Sequence, residues 1–90
     1  MQHLVIQHAV ADFDAWKSHF VSHLPVREAA GLRNLHLWRN TDAPNEVVII
    51  DEVTDEARAR AFLASAELQA TLKAHGVTSE PNFKFVDDAA

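Results

Sequence analysis

The sequence predicts an α+β fold of order β-α-β-β-α-β: a four-stranded antiparallel sheet with two helices on one face. Three observations carry that prediction. The hydrophobic period alternates between two residues and about 3.6 along the chain. Capping residues stand where strand patterns give way to helical ones. The stretch NTDAPNE, rich in turn formers, separates two neighbouring strand patterns.

Leu4, Val5 and Ile6, followed by Ala9 and Val10, form the first strand, which ends at Ala11-Asp12. From Asp12, placed to accept from the free amides of a first turn, the apolar residues Phe13, Trp16, Phe20 and Leu24 recur at helical spacing. Pro25 breaks or restarts this helix, and Gly31 is the residue at which Val26 to Ala30 stops, so the helix is bent. Leu32 to Asn40 follows as a strand with Leu35 and Leu37 on one side and Asn34, His36 and Trp38 on the other. After the turn, Val47-Val48-Ile49-Ile50 runs to Val53 and closes a hairpin. Thr54 caps the second helix, with Asp55 and Glu56 in its first turn and Ser65 as an internal recapping point. That helix stops at His75-Gly76, and beyond Pro81 a last strand, Asn82 to Val86, carries Phe83 and Phe85 on one side. This is the ferredoxin-like pattern. Residues 1–90 are expected to form one domain without repeat or linker.

Two helices cover one side of such a sheet, yet Leu4 to Ile6 and Val47 to Ile50 offer apolar side chains to both. At about 25 cal/mol per Å² of apolar surface, leaving the second side wet forfeits several kcal/mol. A homodimer closed sheet to sheet is the expected answer.

Composition removes several functional classes. The 90 residues hold no cysteine, so a thiolate nucleophile, a disulfide framework and a Cys-based zinc site are excluded. Eight scattered Lys and Arg residues and a formal charge of −5 argue against nucleic acid as a partner. The start, MQHLVIQHAV, lacks the basic and small-residue features of a signal peptide, and no apolar run is long enough to span a membrane. The cytoplasm is the expected location.

The segments HAVADFDAWKSHF, REAAGL, NTDAPNEVVIIDEV and ARAFLASAELQATLKAHGV, with the closing proline and strand, resemble the dimeric α/β-barrel superfamily, specifically small proteins near the antibiotic biosynthesis monooxygenases. The resemblance covers nearly the whole chain. It implies a homodimer with an apolar cavity between sheet and helices in each subunit, and functions that range over cofactor-independent oxygenases, haem-degrading enzymes and polyketide cyclases. The asparagine, tryptophan and histidine of haem-degrading members fall at Gln7 or His8, Val53 and Leu72, so that set is missing. Of the cyclase-like set, His3 matches the first histidine, but Leu68 stands at the second and the chain has no tyrosine.

The residues themselves suggest candidates. His8 and His36 each interrupt a strand and, facing a cavity, would move a proton near neutral pH. Trp16, Phe20, Trp38, Phe62 and Phe85 are the candidate lining for a flat aromatic ligand, against the plainer reading that they are core. Arg27 and Arg39 are candidates to bind an acidic substituent, against the plainer reading of solvated charges paired with some of the thirteen acids. His19 and His23, four apart in HFVSH, have no third ligand on their side of the helix, and no metal is expected. The function expected is binding of a hydrophobic or aromatic, polyketide-like molecule, with cofactor-independent monooxygenation as the enzymatic form. A non-catalytic sequestering dimer and a cyclase or isomerase are the alternatives.

Overall fold

The computed structural model describes residues 1–90. Its elements are β1 (Gln2–Ala9), α1 (Phe13–Ser22), α2 (Leu24–Ala29), β2 (Leu32–Arg39), β3 (Glu46–Val53), α3 (Glu56–Leu63), α4 (Ala66–Ala74) and β4 (Asn82–Asp87). The sheet is antiparallel throughout, in the order β2-β3-β1-β4. Each expected helix is a bent pair. Asp12 caps α1 by accepting from the Ala15 amide, Pro25 opens α2, and Ser65 restarts the chain as α4 by accepting from the Leu68 amide. No helix is long and apolar enough to cross a membrane.

Two expectations are corrected. Asp55, not Thr54, caps α3, because its carboxylate accepts from the Arg58 amide and completes the same three-residue spacing that Asp12 uses. Asn34 does not share a face with His36 and Trp38. Asn34 pairs with Asp51 but His36 pairs with Ile50, so one extra residue enters β2 between them and the alternation flips. Asn34 thereby turns toward the helices while His36 and Trp38 turn away.

The core lies between the helices and one sheet face. Leu4 and Ile6 of β1, Leu32 of β2, Val47 and Ile49 of β3, and Trp16, Phe20, Ala59, Leu63 and Leu68 of the helices form one buried cluster. On the opposite face Val5, Val48, Ile50, Trp38 and Val86 stand among polar residues, and none is buried.

Gly31 holds the α2-to-β2 corner at φ +85°, and its carbonyl accepts from the Thr54 amide at 2.8 Å. A Cβ there would stand 2.6 Å from the Asp55 carbonyl oxygen, whereas at Gly76, with φ +82°, the nearest atom is the Ala11 Cβ at 3.9 Å. Gly31→Ala is therefore expected to lose roughly 2–4 kcal/mol and Gly76→Ala about 1 kcal/mol, as conformation alone dictates. Urea denaturation checks this, and equal losses would contradict it.

Candidate functional site

The cavity between the two layers draws on every part of the fold. Ile6, His8, Ile49 and Phe83 form its floor on the sheet. Trp16 and Phe20 of α1, Phe62 and Leu63 of α3, and Leu68, Thr71 and Leu72 of α4 form its walls. His23, Arg27 and His75 complete it. The space open to the centre of a water-sized sphere is about 40 Å³, enough for a few water molecules.

His8 reaches the cavity because β1 alternates: it follows Leu4 and Ile6 on the helix-facing side and is 7% exposed. Its ring meets Trp16 edge-on, with centroids 5.4 Å apart, and Trp16 stacks on Phe20 at 5.1 Å. Burial lowers the His8 pKa below 6.5, and the nearby Arg27 charge acts in the same direction against a backbone contact at Ala9. The ring is neutral at pH 7, and its buried Nδ1 has no hydrogen-bond partner.

Arg27 is the residue whose surroundings the sequence did not convey. Rather than lying in solvent it is 8% exposed, because α2 places it over the sheet, where its guanidinium donates to the fully buried Asp51 carboxylate of β3. Asp51 also accepts from the Asn34 amide at 3.2 Å, a contact the β2 bulge makes available. The Arg27 side chain lies 5.1 Å from the Phe20 ring centroid, and its buried Nε has no partner. A signal existed: Phe20, Leu24 and Arg27 continue the stripe of α1, and Asp51 continues the inward alternation of Val47 and Ile49.

The structure thus brings His8, Trp16, Phe20 and Phe62 together and adds Arg27, Phe83 and two further histidines. The other candidates lie elsewhere. His36 and Trp38 stack on each other, centroids 4.7 Å apart, on the sheet face without helices, where Trp38 is 52% exposed. Phe85 lies under the Arg60 guanidinium at 4.0 Å, in a shallow groove beside Phe83. Arg39 is exposed and covers Phe13 at 3.9 Å. His19 and His23 acquire a third imidazole, His75, but no group of three His, Asp or Glu residues is arranged to hold a metal ion.

Residues 3–74 match the model of the antibiotic biosynthesis monooxygenase family. The chain belongs to that family. No curated protein matches it. Among solved structures, SnoaB, a cofactor-independent oxygenase from Streptomyces nogalater solved as a mutant, superposes with a TM-score of 0.72 at 20% identity, covering 99% of this chain and 93% of that one. A protein from Bordetella bronchiseptica, named only provisionally as an antibiotic biosynthesis monooxygenase, gives 0.77 at 15% identity with 99% and 97% covered. A NIPSNAP domain protein from Burkholderia xenovorans gives 0.68 at 14% with 100% and 96% covered. At these identities the family's shared property is its fold.

His75, like His8, has a lowered pKa, through burial and then the charges of His19 and His23. Below about pH 6.5 the folded state therefore binds fewer protons than the unfolded chain. The stabilisation from these neutral rings is complete above that pH and is lost as pH falls through their lowered folded values. Denaturation midpoints are expected to fall between about pH 7.5 and 5, a window above most carboxylate titration, and to fall less in His8→Asn. A flat wild-type profile would contradict this.

Proposed function

We propose that this protein is a cofactor-independent monooxygenase of an enolisable aromatic, polyketide-like molecule, acting as a homodimer. One observation carries the reading: two buried nitrogens, His8 Nδ1 and Arg27 Nε, have no partner, and both belong to residues that line the same aromatic cavity. Unpaired buried polar groups are costly in an apolar setting, and a ligand oxygen and its acidic proton would satisfy both. The oxygenase named among the structural neighbours supports the choice of chemistry.

In this mechanism the aromatic walls hold a flat substrate, and neutral His8 removes a proton from a methylene made acidic by a neighbouring carbonyl or phenol. Arg27 donates Nε–H to the resulting oxyanion, its own charge already matched by Asp51. The carbanion gives one electron to dioxygen and the radical pair combines as a peroxide. Protonated His8 returns its proton to the peroxide. The O–O bond then breaks as the carbon loses its remaining hydrogen, which leaves with the outer oxygen as water. One methylene and one dioxygen thus become one ketone and one water. Dioxygen is the oxidant, and the electrons come from the substrate.

A second reading, ligand binding without turnover, is favoured by the loss of the site residues seen in other members of the superfamily. Its mark is binding that depends on Arg27 while no oxygen is consumed.

With an anthrone probe and an oxygen electrode, His8→Asn is expected to lower kcat by about 10²-fold or more with KM little changed. Arg27→Lys, which keeps a cation against Asp51 but removes the Nε–H, should raise KM as well. Activity of His8→Asn equal to wild type per folded molecule would remove the proposed base. The dimer is motivated by Val5, Val48, Ile50 and Trp38 on the uncovered sheet face. Sedimentation at micromolar concentration should give twice the 10.0 kDa chain mass, and Trp38→Glu should dissociate it.

A further inference from the structure

The cavity is small: its space of about 40 Å³ compares with roughly 300–1,000 Å³ for sites that hold whole ligands. Beside it stand three imidazoles in mutual contact, two of which, His23 and His75, line it. His19 of α1 stacks on His75, just past α4, with centroids 4.3 Å apart and planes 7° apart. His23, at the α1–α2 corner, meets the same His75 ring edge-on at 4.9 Å. His23 and His75 both line the cavity, so the cluster joins the α1–α2 corner to the end of α4 beside the opening.

We infer that His19, His23 and His75 form a proton-operated gate, which is shut while the imidazoles are neutral and admits an uncharged aromatic ligand when they are protonated.

The charges around the cluster favour this. No carboxylate lines the cavity, and none of the three histidines makes an ion pair. From α2, Arg27 contributes a cation matched by Asp51, and from β1 the floor carries His8. Exposed Lys17 and Lys73, two residues before His19 and His75, add positive charge on α1 and α4. The acids on the same elements, Asp14 on α1, Glu28 on α2 and Glu67 on α4, are exposed and pair with none of the three rings. Asp12, ahead of α1, has its carboxylate turned onto the Ala15 amide. A second proton on the cluster therefore meets repulsion with no paired counter-charge, and stacked contact becomes unfavourable. His75 already resists protonation, through burial and through His19 and His23.

The fold also fixes both ends of α4. The Gly76 carbonyl accepts from the Ala11 amide at 2.9 Å, and Val10 bridges Val77, so the chain beyond His75 is fastened to the sheet. At its other end α4 begins at the Ser65 recapping point. Between these two points α4 carries Leu68, Thr71 and Leu72 on the cavity wall and contributes no residue to the sheet.

N-phenyl-1-naphthylamine, uncharged from about pH 5 to 8, serves as the probe for stopped-flow fluorescence. Wild-type uptake is expected to accelerate by about tenfold or more from pH 8 to 5.5. In His75→Phe, which keeps an aromatic ring in the stack but cannot be charged, uptake should stay slow at both values. A pH-independent wild-type rate, or acceleration that survives in His75→Phe, overturns the gate. Exchange of the α4 amides, corrected for the intrinsic rate, gives a readout without the dye and decides the matter should the dye not enter. Acid-enhanced opening must be present in the wild type and absent in His75→Phe. Because the gate is read without turnover, a cavity that opens on protonation yet supports no oxygenation would sink the oxygenase reading and leave the gate standing.

Discussion

A fully buried carboxylate on an inner strand sets the terms for the rest of this molecule. Asp51 sits on the helix-facing side of β3, with β2 on one flank and β1 on the other, and it has no access to water. Such a group is tolerated only if it is paired and its remaining lone pairs are used, since desolvation costs several kcal/mol. Arg27 supplies the charge from α2, and Asn34 supplies a further donor from β2. Three segments are fastened at one point. The short helix α2 is thereby held against the sheet, and the bulge in β2 finds its reason, because without the extra residue Asn34 would face the other way.

That pairing also shapes the site. With its charge matched by Asp51, Arg27 can lie beside Phe20 in an apolar cavity and still present a free Nε–H. The cavity therefore combines aromatic walls, a neutral histidine and a cationic donor with little net charge. Such a combination is suited to stabilising an oxyanion as it forms, since donors already fixed in place need no rearrangement when charge develops. The pair Arg33–Glu52, on a neighbouring stretch of the same strands, is also a direct guanidinium–carboxylate contact, but its arginine lies in solvent, where such pairs contribute little.

The rim of the cavity follows a different rule from its floor. His8 is held by burial among Ile6, Trp16 and the sheet, whereas His23 and His75 line the cavity in ring contact with each other and His19 stacks on His75. Contacts made of neutral rings alone are sensitive to protonation in a way that apolar contacts are not.

The sequence by itself determined the element order, the caps at Asp12 and Ser65, the turns at Gly31 and Gly76, and the alternation that puts His8 on one face with Leu4 and Ile6, while only the packed helices decided that this face is the inner one. These are local matters of period, capping and permitted φ, readable within a few residues of each position. It also put Trp16, Phe20 and Phe62 on the right elements to line the cavity. What it left open depended on partners distant in the chain. The single residue added between Asn34 and His36 separated His36 and Trp38 from the cavity, and a bulge of that kind leaves no mark in the alternation of apolar residues. Arg27 reads as solvated until Asp51, 24 positions away, is brought beneath it. HFVSH reads as two histidines until the end of α4 delivers His75 as the third. Each of these was decided by which side chains the packed sheet and helices brought within reach, because pairing, stacking and desolvation act through space and not along the chain.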